Sequence, residues 1–543
     1  MRVIRRLIWL VLLGSVMAWA RDGITYTIRI PNPKDHKAEV NVRIPTEGQE
    51  VVDLMMPRWS PGYYALQDLA ARVQGLSATG LAGKPMLVEH PAPNRWRVHA
   101  GDAREIELFY RLDCPSHFVT TNLVTEHLAI LSGPATFITP LPFTNRHYDV
   151  WLDLPAGWTQ CATGLDAAQD GRPGHFTAPD YDTLLDCPLV AGTFSTHAFK
   201  VAGIPHELVD IGAFGTWDGA RASEKLVALV KENLQFWGLL PYRKYVFLNV
   251  FGPGAGGLEH QNSAMLSSMP PPPGATGADF HWYSYVSHEF FHGYNVKRLR
   301  PLELGPFDYE HPPRTAGLWV AEGLTTYYGP VMAVRAGLGT RDDFLAELSG
   351  AIRRLQQTPG RLKQTLEQAS LDVWEEGGSG VGGDPNKGVS YYVKGPVVGF
   401  LLDARIRMAS RGKRSLDDLM RLAFHRFSGR HGFTEIQFRA AAEEVAGSNL
   451  QDWFRKHLAS TVELDYSEAL ACFGLRFVPP VTPGQPNWAL EVDPDASPRQ
   501  KARLADLLAK HGDDPRWTKR PPLPRFGQMR QIRKAHGTKL SLT

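Results

Sequence analysis

The chain has 543 residues, 43% of them hydrophobic and 14 of them Trp, which is enough for several buried cores and, by length, roughly three or four domains. Its 59 Lys plus Arg stand against 56 Asp plus Glu, a net charge of +3, so nothing electrostatic calls for a nucleic-acid partner or an anionic membrane. Four cysteines, Cys114, Cys161, Cys187 and Cys472, are too few and scattered for a disulfide framework or a cysteine zinc site, although Cys161 and Cys187 are open either to pairing or to remaining thiols.

Residues 1–20 place Arg2, Arg5 and Arg6 before an apolar run from Leu7 to Val16 and then Ala18-Trp19-Ala20. This is the layout of a secretory signal, with the mature chain expected to start at Arg21. The alternative is an uncleaved anchor, but the run is shorter than the ~20 residues that span a bilayer, and no later segment spans one. Residues 21–200 read as a β-rich domain: Tyr26-Ile28-Ile30, Val40-Val42-Ile44 and Ile106-Leu108-Tyr110 alternate with period two between turn-forming clusters. Helical spacing from Ala222 to Phe236 then leads to Tyr245–Phe251, an apolar run that reads as a buried strand entering a Gly-rich turn, so a mixed α/β domain is predicted over 201–335. Beyond Trp282 the apolar spacing is helical, as in Phe344–Leu355, Val397–Met408, Leu416–Phe427 and Phe438–Val445, giving a helical domain over 336–477. The ordered chain is expected to end near Phe477, leaving 478–543 as a Pro-rich, basic, solvated tail with one helix near Ala502 to Lys510. Two short low-complexity runs, Pro270–Pro273 and Gly377–Gly388, read as rims of a site, the first stiff and the second too flexible to pack.

His288-Glu289-Phe290-Phe291-His292 lies in Tyr283–Val296, a Pro-free segment with helical spacing. Positions i and i+4 of a helix share a face, so both imidazoles reach one metal ion while Glu289 lies beside its open position. A catalytic zinc site needs a third protein ligand, and Glu322, in a second helical segment from Trp319 to Tyr328, supplies a carboxylate. The bland readings are surface histidines near a helix end and a first-turn glutamate favoured by the helix dipole; the flanking Trp319, Tyr327 and Tyr328 are untypical of a solvated face. His288, His292 and Glu322 are therefore the expected ligands. Zinc is the default ion, although this donor set also accepts cobalt or manganese. Glu289 is the expected general base for a water whose pKa the metal lowers toward ~7.

HEFFHGYNVKRLRP, from His288 to Pro301, and LWVAEGLTTYYG, from Leu318 to Gly329, resemble the glycyl aminopeptidase family of gluzincin metallopeptidases, peptidase family sixty-one of the metallo class. MPRWSPGYY at Met56–Tyr64 and DYDTLLDCPLVAG at Asp180–Gly192 resemble its N-terminal β domain. RSLDDLMR at Arg414–Arg421 and the stretch from GFTEIQF to FGLRF resemble its helical domain, so the likeness covers about residues 24 to 477. It implies a multidomain α+β fold: an N-terminal β-rich domain, a thermolysin-like catalytic domain and a C-terminal α-helical domain.

Gly256-Gly257-Leu258-Glu259-His260 is similar to the exopeptidase strand of related aminopeptidases, whose motif ends in Glu-Asn. That likeness implies that Glu259 holds a substrate's free α-ammonium, with Gly256 and Gly257 letting the strand approach the substrate. Ser390-Tyr391-Tyr392-Val393-Lys394-Gly395 resembles the segment that places a tyrosine over the scissile carbonyl; the Tyr-x-Lys-Gly spacing selects Tyr392 as oxyanion donor, with Tyr391 the fallback. Many relatives carry a PDZ domain after the helical region, and the residues after Phe477 are too few and too Pro- and Lys-rich for one.

The function expected is a zinc-dependent aminopeptidase, secreted across the inner membrane to the periplasm and acting on peptides with a free N-terminus, small residues such as Gly and Ala favoured. No nucleic acid and no stable membrane insertion are expected. A thermolysin-like endopeptidase keeps the same metal chemistry but needs Glu259 not to close the site. A non-catalytic periplasmic scaffold is opposed by the complete set of base and ligands.

Overall fold

The period-two segments near the N-terminus become strands whose alternate residues share one buried face. The computed structural model describes residues 23–80, 83–142, 146–212, 217–252, 255–269, 280–375, 382–429, 431–480 and 486–511. Ile24–Arg29 pairs antiparallel with Lys37–Pro45, which pairs with Glu105–Asp113, so that Tyr26 lies beside Val42 and Val42 beside Leu108. These strands form the middle of a seven-stranded sheet that shares one apolar core with two four-stranded sheets.

The next sheet has five strands in the order Ser195–Val201, Ile204–Ile211, Tyr245–Phe251, Ser263–Ser268 and Gly256–Glu259. The second, third and fourth run parallel, and every residue of Tyr245–Phe251 is buried, which is why its apolar run is unbroken. Gly256–Glu259 is an edge, paired antiparallel on one side only with Ser263–Ser268. The helical segments read from spacing lie within Gly219–Trp237, Arg341–Gln356, Tyr391–Ala409, Leu416–Phe427 and Glu435–Ala446. A single apolar cluster joins the five-stranded sheet to these helices and reaches Leu507, so no break in packing falls at residue 335.

The helix carrying the two histidines is shorter than its apolar spacing suggests. It spans Phe280–His292; the chain then folds back at Gly293, and the Lys297 amide bonds to the His292 carbonyl. Nor does the ordered chain end at Phe477. Leu475–Phe477 pairs with Leu490–Val492, and Pro498–Leu507 is a helix opened by a Ser497/Gln500 capping box. Leu490, Leu504 and Leu507 anchor this segment in the helical core, three apolar residues hidden in a Pro- and Arg-rich composition. His511 is buried at its end, with Nδ1 bonded to Glu232 and Nε2 3.5 Å from Asp417, which also pairs with Arg335 at 2.9 Å.

The second half of the glycine-rich run is exposed from Gly383 to Lys387 but tied to the neighbouring turn by hydrogen bonds. The Gly360 amide bonds to the Pro385 carbonyl at 2.8 Å and Lys363 Nζ to the Asn386 carbonyl at 2.9 Å. Residues 1–20, Pro270–Pro273, 377–381 and 512–543 lie outside the described residues. All four cysteines are free thiols. Among the described residues no helix is long and apolar enough to cross a membrane.

Candidate metal centre and active site

His288 and His292 stand one turn apart on Phe280–His292, facing Glu322 on Trp319–Gly323, a π-helical turn that runs into Leu324–Arg335. Glycines allow these elements to meet. A Cβ at Gly329 would lie 3.0 Å from the Ser284 carbonyl and 3.5 Å from His288 Cβ, so the missing side chain lets the second helix rest closely on the first. Gly323 in turn abuts Gly395 of Tyr391–Ala409, which draws the tyrosine pair toward the histidines.

His292 Nδ1 donates to the Asn295 carbonyl at 2.8 Å, which leaves the lone pair of the neutral ring on Nε2. That lone pair faces His288 Nε2 at 3.0 Å and Glu322 Oε2 at 3.1 Å, and His288 Nε2 is 3.9 Å from the same oxygen. Three electron-pair donors this close repel unless positive charge, a proton or a metal cation, lies among them. Metal–ligand bonds of 2.0–2.1 Å in a tetrahedral site separate the donors by about 3.3 Å, close to the spacing seen. The charge balance agrees, because three buried carboxylates, Glu259, Glu289 and Glu322, crowd two imidazoles. Burial opposes a charge on His292, yet Glu322 and Glu259 push its pKa up to about 10, whereas burial and His292 hold His288 down to about 3. The site thus draws positive charge, and a divalent cation fits it. The His288 side chain is 17% exposed against 1% for His292 and Glu322, so the open side lies at His288.

Glu289 is buried against the edge strand. A Cβ at Gly257 would come 1.8 Å from its Oε1, so Gly257 makes room for this carboxylate, while Gly256 accepts a hydrogen bond from Tyr285 Oη at 2.7 Å. Burial, with Glu259 and Glu322 nearby, pushes the Glu289 pKa well above the usual carboxylate range. Glu259 ends the same strand. It offers an oxygen within 4.8 Å of the ligand atoms of His292 and Glu322, and its buried Oε1 has no hydrogen-bond partner. Gly62, at φ +102°, lies over this carboxylate, with its Cβ position 2.5 Å from Oε1.

Tyr392 and Tyr391 part company. Tyr391 is fully buried and packs edge-on to Tyr64, whereas Tyr392 joins His288, Glu289 and Thr326 in lining a cleft of about 250 Å³. Burial opposes a charge on Glu322, but His292 and His288, with a smaller contribution from the Tyr392 hydroxyl, hold its carboxyl below the usual range. The opposite wall is one stripe of Arg341–Gln356: Phe344, Glu347, Leu348, Ala351 and Arg354.

Several site residues have no local signature. Asn295 holds His292 through its carbonyl, and its side-chain amide donates to the Val320 carbonyl at 2.8 Å and to Thr325 Oγ1 at 3.0 Å, tying the element that carries the two histidines to the one that carries Glu322. Tyr64, from the N-terminal β-rich region, donates to Glu322 Oε1 at 3.0 Å. His260 turns away from the site: its Nδ1 is 3.3 Å from Asp186, which also takes Lys297 Nζ at 2.7 Å and the Gln261 amide at 2.6 Å. Asn295 and Tyr64 lie in the family-like stretches HEFFHGYNVKRLRP and MPRWSPGYY, but nothing in either stretch says what these side chains touch.

Residues 25–193 match the model of the peptidase M61 N-terminal domain and residues 281–398 that of the M61 glycyl aminopeptidase, a span that holds His288, Glu289, His292, Glu322 and Tyr392. Among solved structures, an aminopeptidase N family protein from Idiomarina loihiensis is similar at 25% identity and TM-score 0.79, over 85% of this chain and 80% of that one. An M1 zinc metallopeptidase from Deinococcus radiodurans shares the fold at 14% identity and TM-score 0.51, over 82% of this chain and 95% of that one. No curated protein matches the chain.

Proposed function

This chain belongs to the M61 glycyl aminopeptidase family and is a hydrolytic peptidase; from that premise we propose a zinc-dependent aminopeptidase. In this reading His288, His292 and Glu322 hold the metal, Glu289 is general base, Glu259 anchors the substrate amine and Tyr392 donates to the oxyanion. The observation that carries it is the convergence of His288 Nε2, His292 Nε2 and Glu322 Oε2 beside a buried Glu289. A two-His, one-Glu set suits zinc, and the Deinococcus neighbour is described as a zinc metallopeptidase. The five-stranded sheet with its paired ligand helices supports a thermolysin-like catalytic unit, and the leader-like residues 1–20 support secretion to the periplasm.

When bound, zinc lowers the pKa of a water and polarises the scissile carbonyl. Glu289 takes the proton of the attacking water, and its burial favours keeping that proton until the leaving amine accepts it. Tyr392, at the cleft wall, donates its hydroxyl to the oxygen that becomes negative in the tetrahedral intermediate. The unpartnered Oε1 of Glu259 receives the α-ammonium, and the open side of Gly256–Glu259 offers backbone groups to an extended peptide, so the first peptide bond is held over the metal. The likeness to the M61 glycyl aminopeptidase model supports a preference for Gly and Ala.

The test is hydrolysis of Gly- and Ala-p-nitroanilide, free and N-acetylated, by zinc-loaded protein and by Glu289→Gln. Cleavage of the free amines alone, with a variant slower by about 10²–10⁴, is expected. Cleavage of the acetylated substrates at similar rates would replace the aminopeptidase reading with an endopeptidase one.

A further inference from the structure

Glu322 presents two oxygens to different neighbours. Oε2 faces His292 and His288, while Oε1 accepts the hydrogen bond of Tyr64 at 3.0 Å from a residue 258 positions earlier in the chain. Both side chains are 1% exposed, so no bulk solvent competes for that bond. The Tyr64 ring is held by edge-on contacts with Trp374 at 6.0 Å and Tyr391 at 6.3 Å. Its loop is fastened by Trp59 Nε1 donating to the Asp308 carbonyl at 2.8 Å and by the Tyr63 amide donating to Ser60 at 2.8 Å. Tyr392 also lies against Glu322, but it is part-exposed on the cleft and free to turn to substrate; Tyr64 is enclosed and is not.

We propose that Tyr64 is a positioning residue for the metal: by occupying Oε1 it holds Glu322 to one-atom ligation through Oε2, and it thereby couples metal affinity to the docking of the N-terminal β-rich region. The inference rests on Glu322 being a ligand. A carboxylate released from such a bond can swing to bind through both oxygens, raising the coordination number and blurring the open position that water needs. Binding is reciprocal, so if docking of the loop tightens the metal, the metal tightens docking of the loop by the same factor.

The experiment uses the full chain, with Zn²⁺ and Co²⁺ as probes, in Tyr64→Phe and Glu322→Gln. Tyr64→Phe removes one oxygen and keeps the ring. Chelator competition is expected to show its zinc affinity lowered about 10–100-fold, and the visible band of its cobalt form should weaken as coordination rises from four toward five. Its zinc-induced rise in Tm, measured from its own metal-free midpoint, should shrink relative to the parent, which separates lost metal binding from lost fold. Unchanged zinc affinity and an unchanged cobalt spectrum in Tyr64→Phe, with affinity lost in Glu322→Gln, would overturn the role of Tyr64 while leaving the ligand set intact. Full affinity in Glu322→Gln would overturn the ligand reading itself, and this proposal with it.

Discussion

Gly323 and Gly395 lie back to back where the π-helical turn crosses Tyr391–Ala409: a Cβ on Gly395 would come 2.5 Å from the Cα of Gly323, and one on Gly323 2.7 Å from the Cα of Gly395. Backbone meets backbone, so neither side has a flexible group that can move aside. Gly395→Ala should therefore force the two elements apart at a cost of about 1–3 kcal/mol, read as a lower urea midpoint, and should shift Glu322 and Tyr392 together. A midpoint equal to the parent's would show that the crossing is not tight.

The two tyrosines should separate in kinetics. Tyr392→Phe is expected to lower kcat by about 10²–10³ with little change in KM, because its hydroxyl is needed only as charge develops. Tyr391→Phe, buried and away from the cleft, should leave kcat within a few-fold of the parent. Steady-state kinetics on Ala-p-nitroanilide decides, and the reverse ranking would move the oxyanion role to Tyr391.

Glu259→Gln keeps the shape of the anchor and removes its charge. Losing a charged hydrogen bond to the ammonium, worth about 1.5–3 kcal/mol, should raise KM for free-amine substrates about 10–100-fold while zinc content stays at parent level. Equal KM values, with metal content measured alongside, would remove the anchor role.

Acid stability should depend on Asp186. Burial alone would raise its pKa, but Lys297 and His260 overcome this and hold its carboxyl down to about 2, against about 3.9 in an unfolded chain. The folded value is the lower one. Its contribution is therefore complete above pH 4 and is lost as pH falls toward 2, and two units correspond to about 2–3 kcal/mol. Metal-free Asp186→Asn should unfold more easily than the parent at pH 7, with the gap closing between pH 4 and pH 2. A gap that persists at pH 2 would point to packing rather than charge.

The shared face of His288 and His292 was legible because it is local: their spacing already places both rings on one side of a helix, whatever surrounds it. Glu322 could be found for a related reason, a carboxylate among large apolar neighbours that no solvated turn would carry. The strands of the N-terminal region were visible in Tyr26, Ile28 and Val42 because one sheet face is dry. What escaped depends on contacts between distant segments. Tyr64 reaches Glu322 across two domains, and no period in the sequence announces that. The contacts of Asn295 were equally unreadable, since they begin where the helical spacing stops and a turn brings its carbonyl under His292. The misplaced end at Phe477 has a compositional cause: Leu490, Leu504 and Leu507 are sparse anchors in a segment whose prolines and arginines look solvated.

The burial of His511 changes how the chain can be shortened. Its ring reaches Glu232 on Gly219–Trp237 and Asp417 on Leu416–Phe427, while Arg335 donates through Nε to the Leu507 carbonyl. A version cut after Phe477 would uncover the apolar bed of Leu504 and Leu507 and strip the Leu507 carbonyl and His511 Nε2, 3.4 Å from its Nη1, from Arg335, which cannot shed its charge. Far from a dispensable appendage, the stretch up to His511 works as a plug, and any shortened protein meant for binding or kinetic work should retain it.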